Sequence, residues 1–252
     1  MINMIVGDYM TKYIGANYVH GTWFGGIDSS FGGVFRDEQV LIGSGLDYIP
    51  CVIGDITDAY MMFGKHVAER RPHSFDDYAI CMMNAIQDYF GDYSNIEERL
   101  NNYPDLDYIS DGVPIGKVSD LKGKNAAMCV ERAMVAQNLL RLMGIRSYYK
   151  SSGIIKNDNK EVHSYNLVEF DGKYYIFDAT MPTLKEEEIS PLVAEISKEV
   201  FDELIQVRNR EGVSVEVEHY NPLRSEDINV TYDAGRKRIY NATRKQIITK
   251  NK

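Results

Sequence analysis

Asp171-Gly172 constrains this chain more than any other pair of residues. It lies between residues 161–170 and 173–178, two runs rich in aromatic and β-branched side chains. Asp-Gly between such runs specifies a two-residue β-hairpin loop. That loop sets the register of everything on either side. Phe170 must pair with Lys173, and Asp178 must fall opposite Tyr165. His163 is two residues from Tyr165 and so shares its face. His163 and Asp178 become diagonal neighbours, roughly 7–8 Å apart at the backbone, within reach of a side-chain hydrogen bond. A carboxylate at that distance fixes an imidazole's tautomer and stabilises the imidazolium.

A second stretch supplies a partner for that imidazole. Gly123-Lys124-Asn125-Ala126-Ala127-Met128-Cys129-Val130-Glu131-Arg132 is a Gly-containing polar loop running into a helical segment, with a cysteine at the junction. The first turn of a helix carries unpaired N–H groups and partial positive charge, which favour thiolate over thiol. Ala133, Met134, Ala136, Leu139, Leu140 and Met143 make the segment apolar around most of its circumference, and Gly144 signals its end. A helix of this kind followed by an antiparallel sheet packs on that sheet. Such packing is expected to bring Cys129 against His163. The expected roles follow: His163 takes the thiol proton and later protonates a leaving amine, Asp178 holds His163, and the Cys129 N–H faces a developing oxyanion. Asn125 is the nearest upstream amide and the candidate second oxyanion donor.

Three blocks resemble the core of the transglutaminase-like superfamily, a branch of the papain-like cysteine hydrolases. Cys129-Val130-Glu131-Arg132-Ala133 through Gly144-Ile145-Arg146 resembles the helix that begins with the nucleophile and ends in a Gly-Ile turn into a strand. His163-Ser164-Tyr165-Asn166-Leu167-Val168 resembles the histidine strand, with Tyr165 where the family usually carries Trp. Tyr174-Tyr175-Ile176-Phe177-Asp178-Ala179-Thr180 resembles the acid strand with its Asp-x-Thr ending. The resemblance covers about residues 120–182. It implies an α+β, papain-like fold, with a central nucleophile-bearing helix on an antiparallel sheet. It also implies a Cys129–His163–Asp178 triad that performs acyl transfer through a thioester, on peptide or side-chain amides. Proteolysis, glutamine deamidation and cross-linking all share the acylation half. Two other readings stay open: a catalytically silent scaffold that binds a polypeptide, and a small-molecule acyltransferase of the arylamine N-acetyltransferase type, which shares a Cys-x-Glu like Cys129-Val130-Glu131.

The remaining chain is read as support for this core. Residues 1–57 mix Gly, aromatic and β-branched residues and are expected to form short strands and loops packed on a catalytic domain at 58–252. Trp23, the chain's single Trp, lies in this part. A helix is expected over 58–70, and another after an N-cap at Ser74, with Cys81 on its apolar stripe. Residues 95–100 read as a short helix and 103–124 as a long, broken connection. A polar turn is expected at 156–160. Glu186-Glu187-Glu188 reads as the acidic start of one long helix over 186–210, with Leu192, Ile196, Val200, Leu204 and Val207 as its stripe. Strands are expected at 213–217 and 228–232, with a final hairpin at 238–243.

A net charge of −9 argues against nucleic acid or an anionic membrane as partner. Protein or peptide substrates are expected instead. Cys51, Cys81 and Cys129 form neither a Cys-x-x-Cys pair nor a disulfide framework. His20, His66, His73 and His219 lack metal-ligand spacing, so no metal or cofactor is expected. Neither a signal-peptide pattern nor a bilayer-spanning apolar run is visible, and a cytoplasmic setting is the expectation.

Overall fold

The computed structural model describes residues 18–19, 22–23, 41–46, 49–52, 55–92, 107–108, 114–205 and 214–233. The expected helix at 95–100 and hairpin at 238–243 lie outside the described residues, as does the side chain of Trp23. The architecture is α+β. In chain order the elements are β1 (Tyr18–Val19), β2 (Thr22–Trp23), β3 (Leu41–Leu46), β4 (Ile49–Val52), α1 (Thr57–Arg70), α2 (Phe75–Phe90), β5 (Asp107–Tyr108) and β6 (Pro114–Lys117). They continue with α3 (Cys129–Leu142), β7 (Arg146–Lys156), β8 (Asn159–Phe170), β9 (Lys173–Lys185), β10 (Glu188–Ile196), α4 (Lys198–Ile205), β11 (Ser214–Asn221) and β12 (Glu226–Asp233).

Six strands form one antiparallel sheet in the order β10-β9-β8-β7-β12-β11. Four successive strands of it, β7 to β10, are joined by two-residue turns. Asp171-Gly172 behaves as its residue types require, with φ of 50° and 73°. Phe170 pairs with Lys173 and Asn166 with Phe177, the register that the loop dictates. Asn157-Asp158 makes the turn before it, with φ of 45° and 65°, and Lys156 pairs with Asn159. This turn is tighter than the polar stretch 156–160 suggests, because β7 and β8 extend each other by pairing.

The largest departure from expectation is residues 186–210. Glu186 and Glu187 form a third tight turn, at φ of 50° and 68°, rather than a helix start. Residues 188–196 are β10, at an edge of the sheet, and only Lys198–Ile205 is helical. Of the expected stripe, Leu204 is buried and Val200 packs beside it on the helix, while Leu192 and Ile196 reach the same core from a strand; Val207 lies outside the described residues. Pairing with β9 on both sides of the bulge at 179–181 outweighs the helical bias of a Glu-rich segment. Pro191 sits where the β9–β10 register shifts, on an edge strand, where a missing N–H costs no ladder bond. Outside the sheet, Arg70 of α1 grips Glu188 through two bonds of 2.7 and 2.9 Å.

The helices α1, α2 and α3 meet expectation. Ser74 caps α2, its Oγ accepting from the Asp77 N–H at 3.2 Å, and Asp77 reaches back to the His73 N–H. Cys81 is buried in the α2 stripe. At the end of α3, Gly144 takes φ 73°, and the Ile145 N–H donates to the Leu140 carbonyl at 3.0 Å. In the described part of the connection before α3, β6 pairs in parallel with β4, and a 3₁₀ turn covers Val118–Leu121. β3 and β4 thus share a sheet with β6, and β3 also meets α3.

Two cores result, one on each face of the large sheet. The first holds α1, α2 and α3 against Tyr149, Val168 and Phe177. Residues 131–140 of α3 are all buried, so this helix is the centre of the molecule. Each of its large apolar side chains contributes about 1.5–3 kcal/mol by leaving water. The second core gathers Tyr165, Leu167 and Ile176 with Phe201 and Leu204 of α4 and with Ile228, Val230 and Tyr232 of β12. The sheet curls so that β11, at one edge, approaches β9, near the other.

Candidate active site

Cys129 is the first residue of α3, so its N–H belongs to the turn that has no intrahelical carbonyl to bond. Several interactions hold that first turn in place. The Glu131 carboxylate, fully buried, accepts from the Met128 N–H at 3.0 Å. Arg132, 3 % exposed, donates to the carbonyls of Ala127 (3.2 Å) and Gly91 (2.7 Å) and to Gln87 Oε1 (3.2 Å). One guanidinium thus ties the loop before Cys129 to the C-terminal end of α2, where carbonyls are in excess.

The sheet side of the site is equally well tied. Asn166 of β8 donates to the Ala133 carbonyl at 3.1 Å and to Gln137 Oε1 at 3.0 Å. Gln137 in turn donates to the carbonyl of Ser147 at 3.0 Å and to its Oγ at 2.9 Å. This buried network sets how far α3 slides along the sheet, and therefore where Cys129 stands relative to β8.

His163 and Asp178 meet as the hairpin register requires. His163 Nε2 and Asp178 Oδ2 are 2.6 Å apart, with His163 5 % exposed and Asp178 fully buried. The backbone ladder between β8 and β9 runs only as far as Asn166–Phe177, and side chains continue the connection beyond it. The Cys129 sulfur lies beside the His163 ring, near enough to act on its charge. Because Nε2 is engaged by Asp178, Nδ1 is the ring nitrogen that remains for the thiol.

Electrostatics favour a charged ring. Burial alone pushes His163 toward its neutral form. The Asp178 carboxylate and the Cys129 sulfur outweigh burial and raise it from 6.5 to about 10. Burial also works to raise Asp178, but His163, together with the N–H and hydroxyl of Thr180, lowers it below its ordinary 3.8. The Thr180 bonds to Asp178 Oδ1 measure 3.0 Å from N and 2.8 Å from Oγ1. A buried ion pair is stable only when its remaining lone pairs are filled, and those of Asp178 are. An imidazolium against a sulfur is the pairing on which nucleophilic cysteines rely.

Asn125 is placed differently from the other three candidates. It is exposed, takes φ 52°, and is turned toward the end of α2. Its N–H donates to the Phe90 carbonyl at 3.0 Å, and its Oδ1 accepts from the Asp92 N–H at 2.8 Å. Its visible work is to seat the loop.

Sequence reasoning passed over Arg132, Glu131 and Thr180 as working parts of the site, although Thr180, two residues after an Asp, is a local signal for such a turn. It also passed over Tyr232, whose hydroxyl donates to Asp178 Oδ2 at 2.9 Å from 54 residues away. No local pattern signals that bond. Among the described residues, no group of three or more His, Cys, Asp or Glu could hold a metal ion. No described helix is long and apolar enough to cross a membrane. Compared with known proteins, the chain matches no family model and no curated protein.

Proposed function

We propose that this chain is a cysteine acyl-transfer enzyme with a papain-like core of the transglutaminase-like kind, working through a thioester on Cys129. One observation carries the reading: the Cys129 sulfur, at the start of a buried helix, lies beside an imidazole that is itself 2.6 Å from a buried carboxylate. The order of the parts supports it too, since the helix comes first and the histidine and acid strands follow as a hairpin.

The chemistry balances without a cofactor. The Cys129 sulfur, its proton transferred to His163, attacks the carbonyl carbon of a peptide or side-chain amide. The carbonyl oxygen becomes an oxyanion facing the Cys129 N–H. The imidazolium returns its proton to the amide nitrogen, the C–N bond breaks, and ammonia or an amine leaves. Water or a second amine then attacks the thioester carbonyl while His163 takes its proton; the C–S bond breaks, the acid or new amide leaves, and His163 returns the proton to the Cys129 sulfur. Asp178 keeps the ring oriented throughout and stays ionised. Hydrolysis and transfer to an amine differ only in which nucleophile resolves the thioester.

Two experiments test this. Iodoacetamide at pH 6 should label Cys129 stoichiometrically, ahead of Cys51 and Cys81; equal, slow labelling of all three defeats the enzyme reading in favour of a silent scaffold. In wild type against Cys129→Ala, ammonia release from protein glutamine, new peptide termini and amine incorporation into casein separate deamidation, proteolysis and cross-linking. Acetyl transfer to an arylamine, with none of these, would instead identify a small-molecule acyltransferase.

A further inference from the structure

We propose that Tyr232 is a positioning residue of the candidate active site, and that the C-terminal hairpin β11–β12 is thereby part of the working machinery. This rests on the acyl-transfer reading above. Tyr232 comes from β12, which joins the sheet through three pairs to β7: Val230–Lys156, Thr231–Ile155 and Tyr232–Ile154. Its ring is fully buried and meets the Tyr165 ring edge to face, with centroids 4.7 Å apart. That contact leaves the phenol one direction, and its hydroxyl donates to Asp178 Oδ2 at 2.9 Å, the same oxygen that His163 engages.

The placement has a specific consequence. Asp178 must be ionised for His163 to be held as an imidazolium, yet it is fully buried. Thr180 covers one carboxylate oxygen; Tyr232 and His163 share the other. A buried phenol can donate to a carboxylate without taking up its charge, because deprotonating it there is strongly disfavoured. Burial, followed by the adjacent Asp178 charge, raises Tyr232 well above its ordinary 10.0. The hydroxyl therefore works as a fixed donor at every pH at which the protein is folded and active. It favours the carboxylate over the acid and disperses charge that would otherwise fall wholly on His163.

The titratable groups around Asp178 come from four other elements. They are His163 and Tyr165 on β8, Cys129 at the start of α3, Tyr232 on β12 and His219 on β11, whose ring lies within the field of Asp178. His219 is pushed by burial toward its neutral form, so the donor that counts on the hairpin side is the phenol.

The test is the pH profile of Cys129 alkylation by iodoacetamide, followed by mass spectrometry, in wild type, Tyr232→Phe, and a protein carrying 3-fluorotyrosine at position 232. Removing the donor makes Asp178 easier to protonate, so Tyr232→Phe should move the acid limb to higher pH by about one unit. The fluorinated phenol is a stronger donor of nearly unchanged shape, and should move the limb to lower pH. A merely structural role would change the melting temperature and leave both limbs in place. Fast wild-type labelling with no shift in either variant overturns the positioning role and spares the acyl-transfer reading. If Tyr232→Phe does not fold, an unshifted fluorotyrosine profile overturns it alone. Wild type without fast Cys129 labelling overturns the reading itself, and this inference with it.

Discussion

A Cβ atom placed on Gly91 would stand 1.9 Å from Asn125 Oδ1. Gly91 ends α2 at φ 83°, and Asn125 belongs to the loop that delivers Cys129, so the two segments touch through a side chain that is not there. Gly91→Ala combines left-handed strain with a clash against a side chain bonded to the Asp92 N–H. Expected is a loss of about 2–4 kcal/mol in urea denaturation, with slower alkylation of Cys129 as the loop moves away.

Arg132 is the second tie between the same two segments. Its three donors reach Ala127, Gly91 and Gln87 from one planar group, a geometry that an ammonium cannot reproduce. Arg132→Lys should therefore cost about 3 kcal/mol in chemical denaturation. A cost below that of an ordinary surface change would show that the tie is not what seats the loop.

The His163–Asp178 pair sets a window of stability. His163 is raised on folding from 6.5 to about 10, so its contribution is complete below pH 6.5 and is lost as pH rises through 10. Asp178 is lowered from 3.8, so its contribution is complete above 3.8 and is lost as pH falls. The melting temperature should be highest between these limits. In His163→Gln, the decline on the alkaline side should flatten. An unchanged alkaline slope would show that the ring is not charged in the folded protein.

Asn166 fixes the seat of α3 on the sheet. Its amide donates to two acceptors, Ala133 O and Gln137 Oε1. Asn166→Asp turns a buried donor into an acceptor facing both, at a site that is fully buried. It should destabilise the protein by about 3 kcal/mol at pH 7 and by less at pH 4, where the acid is neutral and can donate. Melting curves at the two pH values check the difference.

The legible parts of this protein are those set by neighbours along the chain. Asp171-Gly172 tolerates positive φ, so the β8–β9 register and the meeting of His163 with Asp178 followed from the residues at the turn. Ser74 and Gly144 mark helix ends because their bonds reach only a few residues. Residues 186–196 misled because Glu-Glu-Glu and a period-four stripe are local cues for helix, while the pairing that makes them a turn and a strand comes from β9. Asn125 was suggested by its proximity in sequence to Cys129; its N–H and Oδ1 bond to Phe90 and Asp92 at the end of α2, partners that no local pattern signals.

From its sequence alone, then, the chain determined a hairpin register, the ends of its main helices, and a cysteine at a helix start. Only the tertiary structure decided that the cysteine stands beside the histidine, that Arg132 locks the loop to α2, and that Tyr232 reaches Asp178 from β12. The physical reason is one of range. Turn and cap energies depend on a handful of adjacent dihedrals. Contacts such as Tyr232–Asp178 exist only because burying both faces of one sheet folds its far strand back over the site.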